Sequence, residues 1–165
     1  MIRILGVDPG IAATGWGMIE AEGSKTSAID YGFIKTLPSD TYGRRLMIIY
    51  NSLTDIIEKY KPEQASIEDI FFARNKLSAI PVAQAKGVIL LIMEQKGLET
   101  FVFTPLQIKQ ALTGNGRAEK EQVQEMVKLI LGLKNKIKPD HAADALAAAI
   151  CCCNNSPMGG MIKRL

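Results

Sequence analysis

Apolar and polar positions along the chain change period once, and that change organises the rest. Near the N-terminus the apolar residues come in short blocks. Ile2-Arg-Ile-Leu-Gly-Val-Asp8 ends at Asp-Pro-Gly, a strong turn signal, and reads as a strand. Thr14-Gly-Trp-Gly-Met-Ile-Glu20 and Ala28 to Thr36 read as the second and third strands. Two turns in quick succession predict a meander of antiparallel neighbours. From Tyr42 the spacing lengthens. Leu46, Ile49, Leu53, Ile56, Ile57 and Tyr60 recur every three or four residues, the mark of an amphipathic helix that Pro62 stops.

The remaining elements alternate. Ala65-Ser-Ile-Glu68 reads as a short buried strand. Ser78 is the expected cap of a second helix running to about Gln95, with Pro81 in its first turn. Its stretch Val88 to Met93 is apolar almost all round, which predicts burial on more than one side, in a core or against another subunit. Leu98 to Thr104 reads as a fifth strand, and Pro105 opens a short helix to Leu112. Ala118 to Leu131 reads as a helix, and a last one is expected from Asp140 to about Ile150. The order β-β-β-α-β-α-β-α-α-α predicts an α/β fold with a mixed sheet flanked by helices. Residues 1–153 are expected to form one domain and 154–165, rich in Asn, Ser, Pro and Gly, a flexible C-terminal tail.

Composition narrows the class. The chain has 165 residues, 47% apolar and 22% charged, an ordinary globular mix that excludes a collagen, a coiled coil and a wholly disordered chain. There is no run of 18 or more apolar residues and no basic-then-apolar leader. The three cysteines, Cys151 to Cys153, are consecutive, which suits neither a relaxed disulfide nor a zinc site. A reduced, cytoplasmic protein is expected. The net charge of +3 says little, but its distribution says more. Residues 70–138 carry eleven Lys/Arg against five Asp/Glu, net +6, whereas residues 1–69 are net −3. A basic middle beside acidic positions suits a polyanion-binding surface next to a cation site.

Three carboxylates stand out because each lies where a buried element ends or where a carboxylate is otherwise unexpected. Asp8 closes the first strand and Glu68 the fourth, while Asp144 interrupts the alanine-rich His-Ala-Ala-Asp-Ala-Leu-Ala-Ala-Ala-Ile stretch. An ionised carboxylate in apolar surroundings is costly unless it is paired or binds a cation. If the first and fourth strands are neighbours and the last helix packs on the sheet, the three groups converge, and carboxylate oxygens suit Mg²⁺ or Mn²⁺. His141 precedes Asp144 by three residues, on the same helix face, and is a candidate ligand or proton carrier. Asp140 is also near that face, but its expected part is to favour the helix N-terminus through the dipole. Asp69 is expected to point away from Glu68, because strand side chains alternate. The glycine-rich Asp8 to Gly17 segment reads as a tight hairpin or, more weakly, as a phosphate loop.

Candidate nucleic-acid contacts follow Glu68 directly. In Phe71-Phe-Ala-Arg-Asn-Lys76 the aromatics can stack on an unpaired base while Arg74 and Lys76 hold phosphates. Lys109, Arg117 and Lys120 surround the second glycine-rich loop and can touch a phosphate backbone.

Taken together, Asp8-Pro-Gly, Thr14-Gly-Trp-Gly17, Ile67-Glu-Asp-Ile-Phe71 with Arg74-Asn75, Gln84-Ala-Lys-Gly87, Ala118 to Val123 and Asp140-His-Ala-Ala-Asp-Ala-Leu-Ala147 resemble the bacterial RuvC Holliday junction resolvases over residues 1–153. The resemblance implies a ribonuclease H-like fold with a five-stranded mixed sheet. It implies a homodimer through the second helix, and a Mg²⁺-dependent endonuclease making paired symmetric nicks in four-way junction DNA. RuvA–RuvB would be its branch-migration partner. The family's catalytic and metal-binding positions fall on Asp8, Glu68, His141 and Asp144, although some members have Asp where this chain has His141. In that reading Asp8 bridges two ions, Glu68 binds one, and Asp144 with His141 holds the other; two ions about 4 Å apart can clamp an in-line phosphoryl displacement. The products are 5′-phosphate and 3′-hydroxyl ends. Phe71, with Arg74, Asn75 and Lys76 beside it, Lys109, Arg117 and Lys120 are the expected DNA-binding residues. Two other readings are set against this one. A sugar-kinase or actin-like ATPase shares the strand-Asp-x-Gly opening but needs two such domains. An RNA-processing or non-catalytic relative shares the fold, but all four metal-site positions here carry competent residues.

Overall fold

The structure is a computed structural model describing residues 1–23, 25–69, 76–155 and 163–164. Strands β1 (Ile2–Asp8), β2 (Ala13–Glu22) and β3 (Lys25–Lys35) are followed by α1 (Tyr42–Tyr60), β4 (Gln64–Glu68), α2 (Lys76–Gln95) and β5 (Glu99–Phe103). Then come α3 (Pro105–Thr113), α4 (Lys120–Ile130), α5 (Asp140–Asn155) and a two-residue β6 (Lys163–Arg164). One sheet runs in the order β3-β2-β1-β4-β5-β6. The meander β1–β2–β3 is antiparallel, β1–β4 and β4–β5 are parallel, and β6 adds antiparallel to β5. A meander continued by two crossover-connected parallel strands, with helices on both faces, is the ribonuclease H-like arrangement.

Local signals explain most boundaries. Thr41 caps α1 by accepting from the Arg44 N–H, and Lys61 ends it in the left-handed region just before Pro62. Thr104 and Gln107 form a reciprocal capping box at α3, with Pro105 in the first turn.

Two boundaries differ from expectation. Helix α2 starts at Lys76, so Ser78 lies within it rather than capping it, and Pro81 is interior. Helix α5 continues to Asn155, because its last turns stay buried: Cys151 and Cys152 are within 1% of full burial. Two cysteines of the run, Cys151 and Cys152, thus act as small core residues. Among the described residues no helix is long and apolar enough to cross a membrane.

The two faces of the sheet are packed differently. Behind it, Leu5, Val7, Met18, Ala65 and Ile67 meet Ile49, Leu53 and Ile57 of α1 and Ala85, Ile89, Ile92 and Met93 of α2. In front, Ile4, Ile19, Phe101 and Phe103 meet α3, α4 and the alanines of α5. The front face is where β1 and β4 end in carboxylates.

Candidate metal centre and nucleic-acid interface

The position of α5 decides the site. Gly6 of β1 leaves no Cβ; one built there would lie 1.9 Å from the Ala145 carbonyl oxygen. At Gly15 of β2 a Cβ would lie 2.0 Å from the His141 carbonyl oxygen. On β4, the Ser66 hydroxyl donates to the Ala148 carbonyl at 2.7 Å and ties the helix down from the other side. Backbone and helix therefore touch with no side-chain layer between them, and alanines on α5 complete the contact. The glycine-rich stretch is not a phosphate loop. It is a hairpin, closed by the Thr14 hydroxyl donating to the Gly10 carbonyl at 2.6 Å, whose Gly15 and Gly17 lie inside β2 and face α5.

This close approach brings the strand-end carboxylates to the first turns of α5. β1 and β4 are parallel neighbours with Val7 opposite Ile67, so Asp8 and Glu68 leave the sheet side by side. Asp8, His141 and Asp144 each offer a ligand atom within 4.8 Å of the others. His141 Nδ1 lies 2.7 Å from Asp8 Oδ2. An ionised carboxylate only accepts, so in this pairing Nδ1 carries the proton. That bond holds the His141 pKa above its usual value.

The centre is electrostatically crowded. Burial, followed by the nearby charges of Asp8 and Asp144, pushes Glu68 up to about 8. Burial likewise raises Asp144, and Lys120 works against it. Lys120 Nζ bridges Asp140 at 3.2 Å and Asp144 at 3.3 Å. Asp140, exposed at the start of α5, is held below the usual carboxylate range, first by its hydrogen bond from Gln124 and then by Lys120. It stays outside the cluster of ligand atoms. Asp69 belongs to a separate ion pair with Lys86 of α2 at 2.5 Å.

A cavity of about 210 Å³ opens beside the carboxylates, with Glu68, Asp144, Lys109 and Lys120 as its polar wall. Of the sequence-predicted DNA contacts, the structure brings Lys109 and Lys120 to this cavity and leaves Arg117 exposed on the preceding loop. Phe71, Arg74 and Asn75 lie outside the described residues; Lys76 begins α2. The residues that place the helix, Gly6, Gly15 and Ser66, carry no functional signature in the sequence, yet each lies where α5 crosses the sheet. The available signal was small residues on alternate strand positions, combined with an alanine-rich helix.

The family model for the crossover junction endodeoxyribonuclease RuvC matches residues 4–152. The chain belongs to the RuvC family. A RuvC from Ruminiclostridium cellulolyticum is 46% identical over 159 residues, 96% of either chain. One from Halothermothrix orenii is 51% identical over 148 residues, 90% of either chain. Among solved structures, Thermus thermophilus RuvC in complex with a Holliday junction substrate superposes with a TM-score of 0.94 at 34% identity, covering 100% of both chains. RuvC membership and this superposition agree with the ribonuclease H-like topology read from the strand order.

Proposed function

We propose that this RuvC-family chain resolves Holliday junctions in recombination and DNA repair. It binds four-way junction DNA and makes paired symmetric nicks, leaving 5′-phosphate and 3′-hydroxyl ends. The observation that carries the reading is the convergence of Asp8, His141 and Asp144, beside Glu68, in a chain of this family.

Asp8, Glu68, His141 and Asp144 would hold a divalent cation. The donor set fits one: three carboxylates and an imidazole crowd together, and Glu68 is driven towards its neutral form by burial and by its acidic neighbours. Oxygen-rich ligation favours Mg²⁺, with Mn²⁺ as a substitute. When bound, the cation supplies Lewis-acid polarisation of the scissile phosphate and charge against the developing anion. The residues themselves do the rest. Ser66, Gly6 and Gly15 fix the distance of α5, and hence of Asp144 and His141, from Asp8. His141 lies with Nδ1 against Asp8 Oδ2 and so orients that carboxylate. Lys109 and Lys120 at the cavity take phosphate oxygens of the bound strand, with Arg117 on the flanking loop. Phe71, Arg74, Asn75 and Lys76 follow Glu68 in the chain and meet unpaired bases and backbone at the junction centre.

A homodimer gives two such centres related by one two-fold axis, matching a four-way junction. Exposed Ile80 and Leu91 on α2 and Met47 on α1 support this pairing face. RuvA–RuvB is the proposed partner assembly.

The test is an end-labelled synthetic four-way junction incubated with the protein in Mg²⁺ and in EDTA, beside a linear duplex and an RNA–DNA hybrid. Symmetric nicks in the junction alone, lost in EDTA and in Asp8→Asn while junction binding persists, are expected. Preferential cutting of the hybrid would overturn the reading in favour of an RNA-directed enzyme.

A further inference from the structure

Two exposed side chains continue the surface of the carboxylate cluster along the sheet and take no part in the site described above. Asp8 pairs with Gly15 across β1 and β2, and Gly15 pairs in turn with Phe33 across β2 and β3. Directly opposed residues on antiparallel strands share a face. The Cβ that Gly15 lacks would point at His141, so Phe33 stands on the α5 face. Its neighbours on β3 agree: Tyr31 packs with the α5 core, and Ile34 with the core behind the sheet. Strands lie about 4.8 Å apart, which puts the Cα atoms of Phe33 and Asp8 roughly 10 Å from each other.

Phe33 is 44% exposed. Lys35, two residues on, shares its face, is also exposed, and makes no ion pair among the described residues. Gly15, between Phe33 and Asp8, is covered by His141 at the start of α5, so a strand that reaches both side chains passes over His141. This patch sits on the β3 side of Asp8, whereas Lys109 and Lys120 line the cavity on the β4 side. A strand seated over the carboxylates must leave them on both sides. An exposed ring beside an uncompensated ammonium is the combination that holds an unpaired nucleotide: the ring stacks on a base, and the cation takes a phosphate.

Resting on the resolvase reading, we propose that Phe33 and Lys35 are substrate-contacting residues for the cleaved strand. Phe33 stacks on a base flanking the scissile phosphate, on the far side of His141 from Lys109. Lys35 neutralises a phosphate of the same segment.

The test uses the full chain with Phe33→Ala, Phe33→Trp, Lys35→Ala and, as a control, Ile29→Ala on the same strand. Affinity for the four-way junction is measured in EDTA over a range of salt, and melting curves confirm that each variant is folded. Phe33→Ala is expected to weaken binding by roughly 5- to 30-fold, with the salt slope unchanged. Lys35→Ala is expected to weaken binding and to lower the salt slope by about 0.7–1. Phe33→Trp restores affinity, and junction DNA quenches its added fluorescence. Ile29→Ala binds as the unaltered protein does. If Phe33→Ala and Lys35→Ala also bind like the unaltered protein, and that protein cuts junctions, the contact is overturned and the resolvase reading stands. If the unaltered protein neither binds nor cuts the junction, both are overturned.

Discussion

The front and back faces of one sheet solve different problems. Behind it, branched side chains fill a thick layer: Leu5, Val7 and Ile67 meet Leu53, Ile89 and Ile92. In front, where the strands end in carboxylates, bulk is removed. Gly6, Gly15 and Ser66 meet the alanines of α5, and the helix backbone lies almost on the strands. Apolar volume stabilises the back face. On the front face, closeness lets Asp144 and His141 reach Asp8, and the crowding that results opposes stability: Glu68 is pushed up to about 8. The site and the anchor of the fold thus share the same strands but not the same side.

Substitutions on the two faces should separate these roles. The largest effect is expected from Glu68→Gln. Cleavage falls by at least about 10²-fold. At the same time the metal-free protein melts roughly 2–8 °C higher near pH 7, because Gln is neutral in both states and folding no longer has to protonate a carboxylate that is ionised in the unfolded chain. Activity lost together with stability would mean that the front face is structural. Gly15→Ala comes next. Its methyl group meets the His141 carbonyl, shifts the start of α5, and lowers cleavage by roughly 10²-fold for a displacement of about 1 Å. Circular dichroism should show the helices retained. On the back face, Leu53→Ala leaves a cavity and costs about 2–5 kcal/mol in a denaturant titration. Its cleavage per folded molecule stays near that of the unaltered protein.

The smallest effect is a pH dependence. Glu68 has a folded pKa raised from 4.5 to about 8, so its contribution is stabilising while it is protonated. That contribution is full below about 4.5 and is lost as pH rises through about 8, and raised His141 acts in the same direction. Melting temperature in EDTA should therefore fall across this window, and saturating Mg²⁺ should reverse the trend at its upper end.

Much of this was legible in the sequence. The strand-end positions of Asp8 and Glu68 and the misplaced carboxylate of Asp144 pointed to one centre, and the change of period gave the element order. What escaped was geometry carried by absent side chains. Gly15 and Gly17 fit a strand start, a tight hairpin or a phosphate loop equally well in a one-dimensional reading, because a glycine that admits a helix has the same letter as one that turns a chain. Ser78 is a plausible cap only if Pro81 falls in a first turn; the helix begins at Lys76. The end of α5 was hidden because Cys151 and Cys152 are buried by contacts distant in sequence. The perturbation of Glu68 depends on distances between groups 60 and more residues apart, which no local pattern encodes.

The most direct test of the central claim, that the close approach of α5 assembles a cation site, is calorimetric titration of Mn²⁺ into the unaltered protein, Glu68→Gln and Asp144→Asn near pH 7, in two buffers of different ionisation enthalpy. The account predicts that the unaltered protein binds the ion with release of protons, about one of them from Glu68, which is mostly protonated before binding. Glu68→Gln should release about one proton fewer, and Asp144→Asn should bind more weakly. Equal affinity and equal proton release in all three would contradict it.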